Sequence, residues 1–195
     1  MTSETRGRGR PRDPAIDTAV LTATRALLVE VGCDQLSMVA IADRAGVGRP
    51  ALYRRWPSKT HLVFEAVFGW QDAPAPVTEA HDADEWVSRS FAYTRELFAR
   101  PEVKAALPWL LASLRDHPDL QAALWKEFGA PGVAMLEQTL RAEGRNPAEA
   151  AVDANAAMTL IIGASMIVEL LGDGNSRIAE RLPSLLRLPG HGQLS

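Results

Sequence analysis

The sequence predicts an all-α fold, and three observations carry that expectation. Apolar residues recur at helical spacing along most of the chain, no segment alternates convincingly in the manner of a strand, and Gly, Pro and capping residues punctuate the pattern. The 195 residues are 47% hydrophobic, enough apolar material for one large domain or two small ones.

The elements follow in order. Asp13-Pro14 caps and opens a first helix with Ile16, Val20, Ala23, Leu27 and Val31 on one face, and Gly32 ends it. Ser37 caps a short helix bearing Met38, Ile41, Ala42 and Ala45, stopped at Gly46. A third runs from Arg49 to Trp56. Pro50 is tolerated in its first turn, where N–H groups lack intrahelical partners, and Pro57 closes it. Ser58 caps a fourth helix carrying Leu62, Val63, Ala66, Val67 and Trp70. Residues 71–84, rich in Pro, Ala and Asp, read as a connection. Further helices are expected over 85–99, 102–115, 119–143, 147–171 and 176–186, with Gly129, Pro131 and Gly132 interrupting or kinking the third of these. The tail from 189 is expected to fray.

Charge is unevenly placed. Residues 1–60 hold ten basic and six acidic side chains, and the remainder holds eleven and eighteen, so a net charge of -3 conceals a basic end on an acidic body. That end suits a polyanion. The longest uncharged stretch, 154–168, falls short of the ~20 residues of a membrane-spanning helix, so no membrane partner is expected. The start lacks the apolar core of a signal peptide, which predicts a cytoplasmic protein. The single Cys33 suits a reducing compartment and reads as a small half-buried filler.

The two short helices joined by Ala45-Gly46-Val47-Gly48 form a helix-turn-helix candidate. Gly46 accepts the left-handed backbone of a sharp turn and Val47 plugs the angle between helices. Leu52 and Trp56, four apart, are core positions of the second helix, which turns Arg49, Tyr53, Arg54 and Arg55 outward. A short helix so furnished suits the DNA major groove.

In Ser37, Ile41-Ala42, Ala45-Gly46-Val47, Leu52-Tyr53, Trp56, Lys59 and Leu62, all in register, the chain resembles the DNA-binding signature of the TetR family of bacterial regulators. Trp56 stands where that family more often carries Phe. The resemblance implies phosphate contacts from Ser37 and Lys59 and DNA-facing positions at Arg44, Gly48, Arg49, Pro50 and Tyr53. Arg49 is the candidate base reader, since arginine pairs bidentately with guanine. Tyr53 and Lys59 are expected to hold phosphates, and Ser37 can cap its helix in the same position. Of Arg54 and Arg55, on adjacent faces, at most one should point squarely at DNA. Upstream, Arg8-Gly9-Arg10-Pro11 resembles the core of an AT-hook. Arg8 and Arg10 either enter the minor groove or belong to a basic tail of nonspecific affinity.

The chain thus divides into a basic arm (1–12), a helix-turn-helix domain (13–70, with connecting helix 58–70), a helical regulatory and dimerisation domain (71–188) and a tail (189–195). In the regulatory domain Phe91, Phe98, Trp109, Trp125, Phe128 and Met158 either line a pocket for a small hydrophobic effector or pack a core. Helix 147–171, dense in small residues and with more apolar surface than one face needs, looks like half of an intermolecular four-helix bundle with 176–186. Family members usually dimerise through their last two long helices, so the resemblance implies a homodimer on a palindromic operator. His61, His81, His117 and His191 show no paired ligand spacing, and phosphate loops and nucleophile elbows are absent. No enzyme activity, cofactor or metal is expected. A ligand-released repressor is the leading reading, and a helical polyanion-binding module without ligand sensing is the alternative.

Overall fold

A computed structural model describes residues 13–69, 80–171 and 176–186. Among the described residues every regular element is helical: α1 (Pro14–Gln35), α2 (Met38–Ala45), α3 (Arg49–Arg55), α4 (Lys59–Phe68), α5 (Ala83–Ala99), α6 (Pro101–Ser113), α7 (Pro118–Leu124), α8 (Ala130–Ala142), α9 (Pro147–Leu171) and α10 (Ser176–Leu185). Arg8, Arg10, Trp70 and the connection around them lie outside the described residues.

The local signals in the sequence do the work expected of them. Asp13, Ser37 and Ser58 each accept a backbone N–H from the first turn that follows, satisfying donors that a helix start leaves open. Gly46 is left-handed (φ 66°, ψ 30°) and its N–H reaches the carbonyls of Ala42 and Asp43. Gly32 (φ 74°, ψ 168°) breaks the helical path as anticipated, but one further turn, to Gln35, follows it.

The long segment anticipated over 119–143 resolves into α7, a π-helical turn at Trp125–Gly129 and α8. The Gly and Pro residues there place the irregularity, and the π turn keeps α7 and α8 stacked end on end rather than ending the helix.

Two hydrophobic clusters meet at Ile162 of α9. The first gathers Leu28, Ile41, Leu52, Trp56 and Leu62 from α1–α4, together with Val103, Leu107 and Leu110 of α6. Thus α6, which the sequence assigns to the distal domain, packs on α1 and α4 and welds that domain to the helix-turn-helix. The second cluster holds Trp86, Phe91, Leu136, Leu140, Ala154 and Ile161 from α5, α8 and α9.

At 25 residues, α9 exceeds the uncharged stretch by which it was judged, and its mean hydropathy of 1.6 over an 18-residue window would suit a membrane span. It lies instead along α5 and α8, burying Ala150, Ala154, Ala157, Ile161 and Ser165. Near its end Glu169 pairs with Arg95 and Lys104. Its opposite side leaves Val152, Leu160 and Ile167 exposed.

Candidate nucleic-acid interface and apolar cavity

The helix-turn-helix surface is built from α2 and α3. Leu52, fully buried, and Trp56, 1% exposed, anchor α3 in the core. The Trp56 indole N–H also donates to Glu65 Oε2 at 2.6 Å, tying the end of α3 to α4. With that side of α3 fixed inward, Arg49, Pro50, Tyr53 and Arg54 are exposed, joined by Ser37, Arg44 and Gly48. The seven expected positions from Ser37 to Arg54 are therefore all exposed, on or beside α2 and α3. Arg44 also makes a two-pronged pair with Glu30 of α1, both contacts 2.7 Å, and its hydrogen bonds hold the Glu30 carboxyl below the ordinary carboxylate range.

Two expected contacts are redirected. Arg55 is nearly buried, bound to Asp17 of α1 and directed also at the Asp13 carbonyl, so it braces α3 against α1. Of the adjacent pair, Arg54 alone faces outward. Lys59 turns inward: its Nζ donates to the carbonyls of Cys33 (2.9 Å) and Leu36 (3.2 Å) and sits 4.7 Å from the centre of the Trp109 ring. The turn after Gly32 leaves those carbonyls without helical partners, and a lysine from α4 satisfies them. Cys33 is fully buried rather than half-buried, and burial pushes its thiol up to about 11, with Lys59 opposing, so it is a poor nucleophile.

The second feature is a cavity of about 460 Å³ between α4, α5, α6, α7, the π turn at Trp125–Gly129 and α9. Phe98, Trp125, Phe128 and Met158 line it, together with Phe68, Trp86 and Leu107. Phe91 and Trp109 do not: Phe91 packs in the second core cluster, and Trp109 covers Lys59. Sequence reasoning did not single out Phe68 as a wall. It is the last residue of α4, and its ring packs at a tilt against Phe64 and Phe128, 5.3 and 5.4 Å between centroids. Among the described residues the buried Trp86 has no acceptor for its indole N–H. The Thr94 hydroxyl in the same wall is already engaged with the Ser90 carbonyl and Ser165 Oγ.

A third grouping forms although the histidines show no paired ligand spacing in sequence. His61 of α4, with His117 and Asp119 at the start of α7, come together across the domain junction, whereas His81 is exposed elsewhere and His191 lies outside the described residues.

Comparison with known proteins places these features in context. Residues 20–66 match the model of bacterial regulatory proteins, tetR family. An uncharacterized HTH-type transcriptional regulator of Mycobacterium tuberculosis is 28% identical over 137 residues, which are 68% of this chain and 66% of that one, just under two thirds of its length. Among solved structures, NalD, the secondary repressor of the MexAB-OprM multidrug efflux pump in Pseudomonas aeruginosa, shares the fold with a TM-score of 0.59 at 22% identity, covering 90% of this chain and 94% of NalD. A TetR variant from Acinetobacter baumannii in complex with minocycline aligns with a TM-score of 0.58 at 22% identity, covering 87% and 93%.

Proposed function

We propose that this chain, whose residues 20–66 match the tetR family of bacterial regulatory proteins, is a homodimeric repressor released from a palindromic operator by a neutral hydrophobic ligand. The observation that carries the coupling is the placement of α4. Its first turn follows directly on α3, and its last residue, Phe68, forms part of the cavity wall. At 1.5 Å per residue its 10 residues span roughly 15 Å as one rigid rod. A ligand that moves Phe68 therefore moves the root of α3. Minocycline bound to one neighbour and the repressor role of the other give precedent for both halves of the reading.

The cavity supports an effector class. Its wall is mainly aromatic and aliphatic, with Ser90, Thr94, Gln121 and Thr159 among it, and among the described residues no Asp, Glu, Lys or Arg lines it, so a charged ligand would lose hydration without gaining a counter-ion. We assign effector release, rather than bare polyanion binding, because α4 joins this cavity to the exposed face of α3.

On the DNA side Arg49 reads a base, while Tyr53, Arg54 and Ser37 hold phosphates. Arg49→Ala should lose ~1–3 kcal/mol of discrimination among operator variants and change affinity for random DNA far less. Equal losses on both would reassign Arg49 to the backbone. The function itself is tested by titrating the dimer–operator complex, followed by fluorescence, with neutral ligands that displace a naphthylamine dye from the cavity. Coupling of ~1–3 kcal/mol lowers operator affinity about 5–150-fold. Ligands that fill the cavity and repeatedly leave operator affinity unchanged would return the protein to the simpler polyanion-binding module.

A further inference from the structure

His61, His117 and Asp119 belong neither to the exposed face of α3 nor to the cavity. One ligand atom from each lies within 4.8 Å of the others. His61 Nε2 is 3.2 Å from Asp119 Oδ2, and the two imidazoles meet edge to face with centroids 5.2 Å apart. Two imidazoles and one carboxylate are the donor set of zinc and its first-row neighbours. We infer that these three side chains bind one divalent transition metal, of the zinc, cobalt or nickel type, that clamps the start of α4 to the start of α7.

Geometry supports the clamp. For metal–ligand bonds of ~2.0–2.2 Å, tetrahedral donors stand about 3.3–3.6 Å apart, so the His61–Asp119 pair is already close to the required spacing. The remaining closure of about an ångström is a matter of χ rotation for an exposed Asp119 and two half-buried rings. Water would complete the coordination on the open side.

An outer partner is also in place. Ser58 Oγ sits 2.8 Å from His61 Nδ1, where it can accept the Nδ1–H and leave the Nε2 lone pair directed at the cluster. In that tautomer the lone pair faces a carboxylate, an unfavourable pairing that a cation between them relieves.

The clamp would act on α4 from the end opposite Phe68. It joins the first turn of α4 to α7, which itself contributes Gln121 and Leu124 to the cavity wall. Metal and cavity ligand would then bias the same rod, and by linkage each would alter the other's affinity. This regulatory half rests on the function proposed above, whereas metal binding does not.

The full-length protein is titrated with Co2+, whose visible absorption reports a low-symmetry nitrogen–oxygen site, and then with Zn2+ as competitor. Wild type should take up one equivalent per protomer. Asp119→Ala, at a side chain 63% exposed and so harmless to folding, should weaken Co2+ by more than the roughly 10–100-fold that loss of an outer partner costs, and His117→Ala should do the same. Equal Co2+ affinity in wild type and Asp119→Ala overturns the site. A second arm measures operator affinity with Zn2+ and with a chelator. A change within about 5–150-fold, absent in Asp119→Ala, is expected. Intact Co2+ binding with metal-independent operator affinity would overturn the regulatory half alone.

Discussion

Ile167→Glu should give a folded, helical monomer whose operator affinity falls by on the order of 10²–10⁴, the avidity lost when two linked contacts become one. Val152, Leu160 and Ile167 are eight and seven residues apart, which sets them along one side of α9, and each is more than half exposed. The neighbouring α10 adds Ile178 and Leu185, seven apart and 55% and 66% exposed. Single exposed apolar residues are ordinary, but two helices that each align theirs leave a contiguous stripe that water disfavours. A membrane is a poor solution for α9, whose other side is packed on α5 and α8. In the homodimer proposed above, a second copy related by a two-fold axis would cover the stripe with itself. The DNA requires the same arrangement, since one recognition helix reads few base pairs and half-sites recur at ~34–36 Å. A glutamate at Ile167 sets two negative charges against each other across that axis while meeting only solvent in the separate chain. Sedimentation should show dimeric wild type and monomeric variant at micromolar concentration. A dimeric Ile167→Glu with intact operator binding would move the interface elsewhere.

What was legible in the sequence divides by distance along the chain. The helix-turn-helix was read almost whole because its signals are local: Ser37 caps three residues away, Gly46 turns within its own motif, and Leu52 and Trp56 share a face by spacing. The kink near Gly129 was legible for the same reason, though a π turn was not. Contacts that join distant residues were not legible. Nothing local to Arg55 or Lys59 announces Asp17, or the carbonyls of Cys33 and Leu36, as their partners. Trp109 and Phe91 were aromatic and well placed by composition, yet periodicity does not say which apolar neighbour closes on a void and which closes on the core. The His61 cluster spans 58 residues in sequence and exists only because α4 and α7 touch.

Phe68→Leu should separate ligand binding from DNA release. The ring is 6% exposed and held between Phe64 and Phe128, so a displaced Phe128 pushes directly on the end of α4. Aromatic pairs of this kind are worth ~0.5–1.5 kcal/mol beyond their buried area. That is comparable to the ~1–3 kcal/mol of coupling the switch needs, which is why loss of one ring can remove most of it. Leucine keeps the site apolar but smaller than the ring, at a stability cost of roughly 1–3 kcal/mol, which melting of the variant measures before its DNA binding is compared. Neutral ligands should still displace the dye and raise the melting temperature, because binding to the native state stabilises it whether or not the signal travels. Operator affinity, however, should fall by no more than about twofold on ligand binding, in place of about 5–150-fold. The decisive comparison holds ligand occupancy equal in the two proteins and reads operator affinity in each. A variant that binds ligand and still releases DNA as fully as wild type would show that the signal reaches α3 without Phe68, through α6 and its contact with α1.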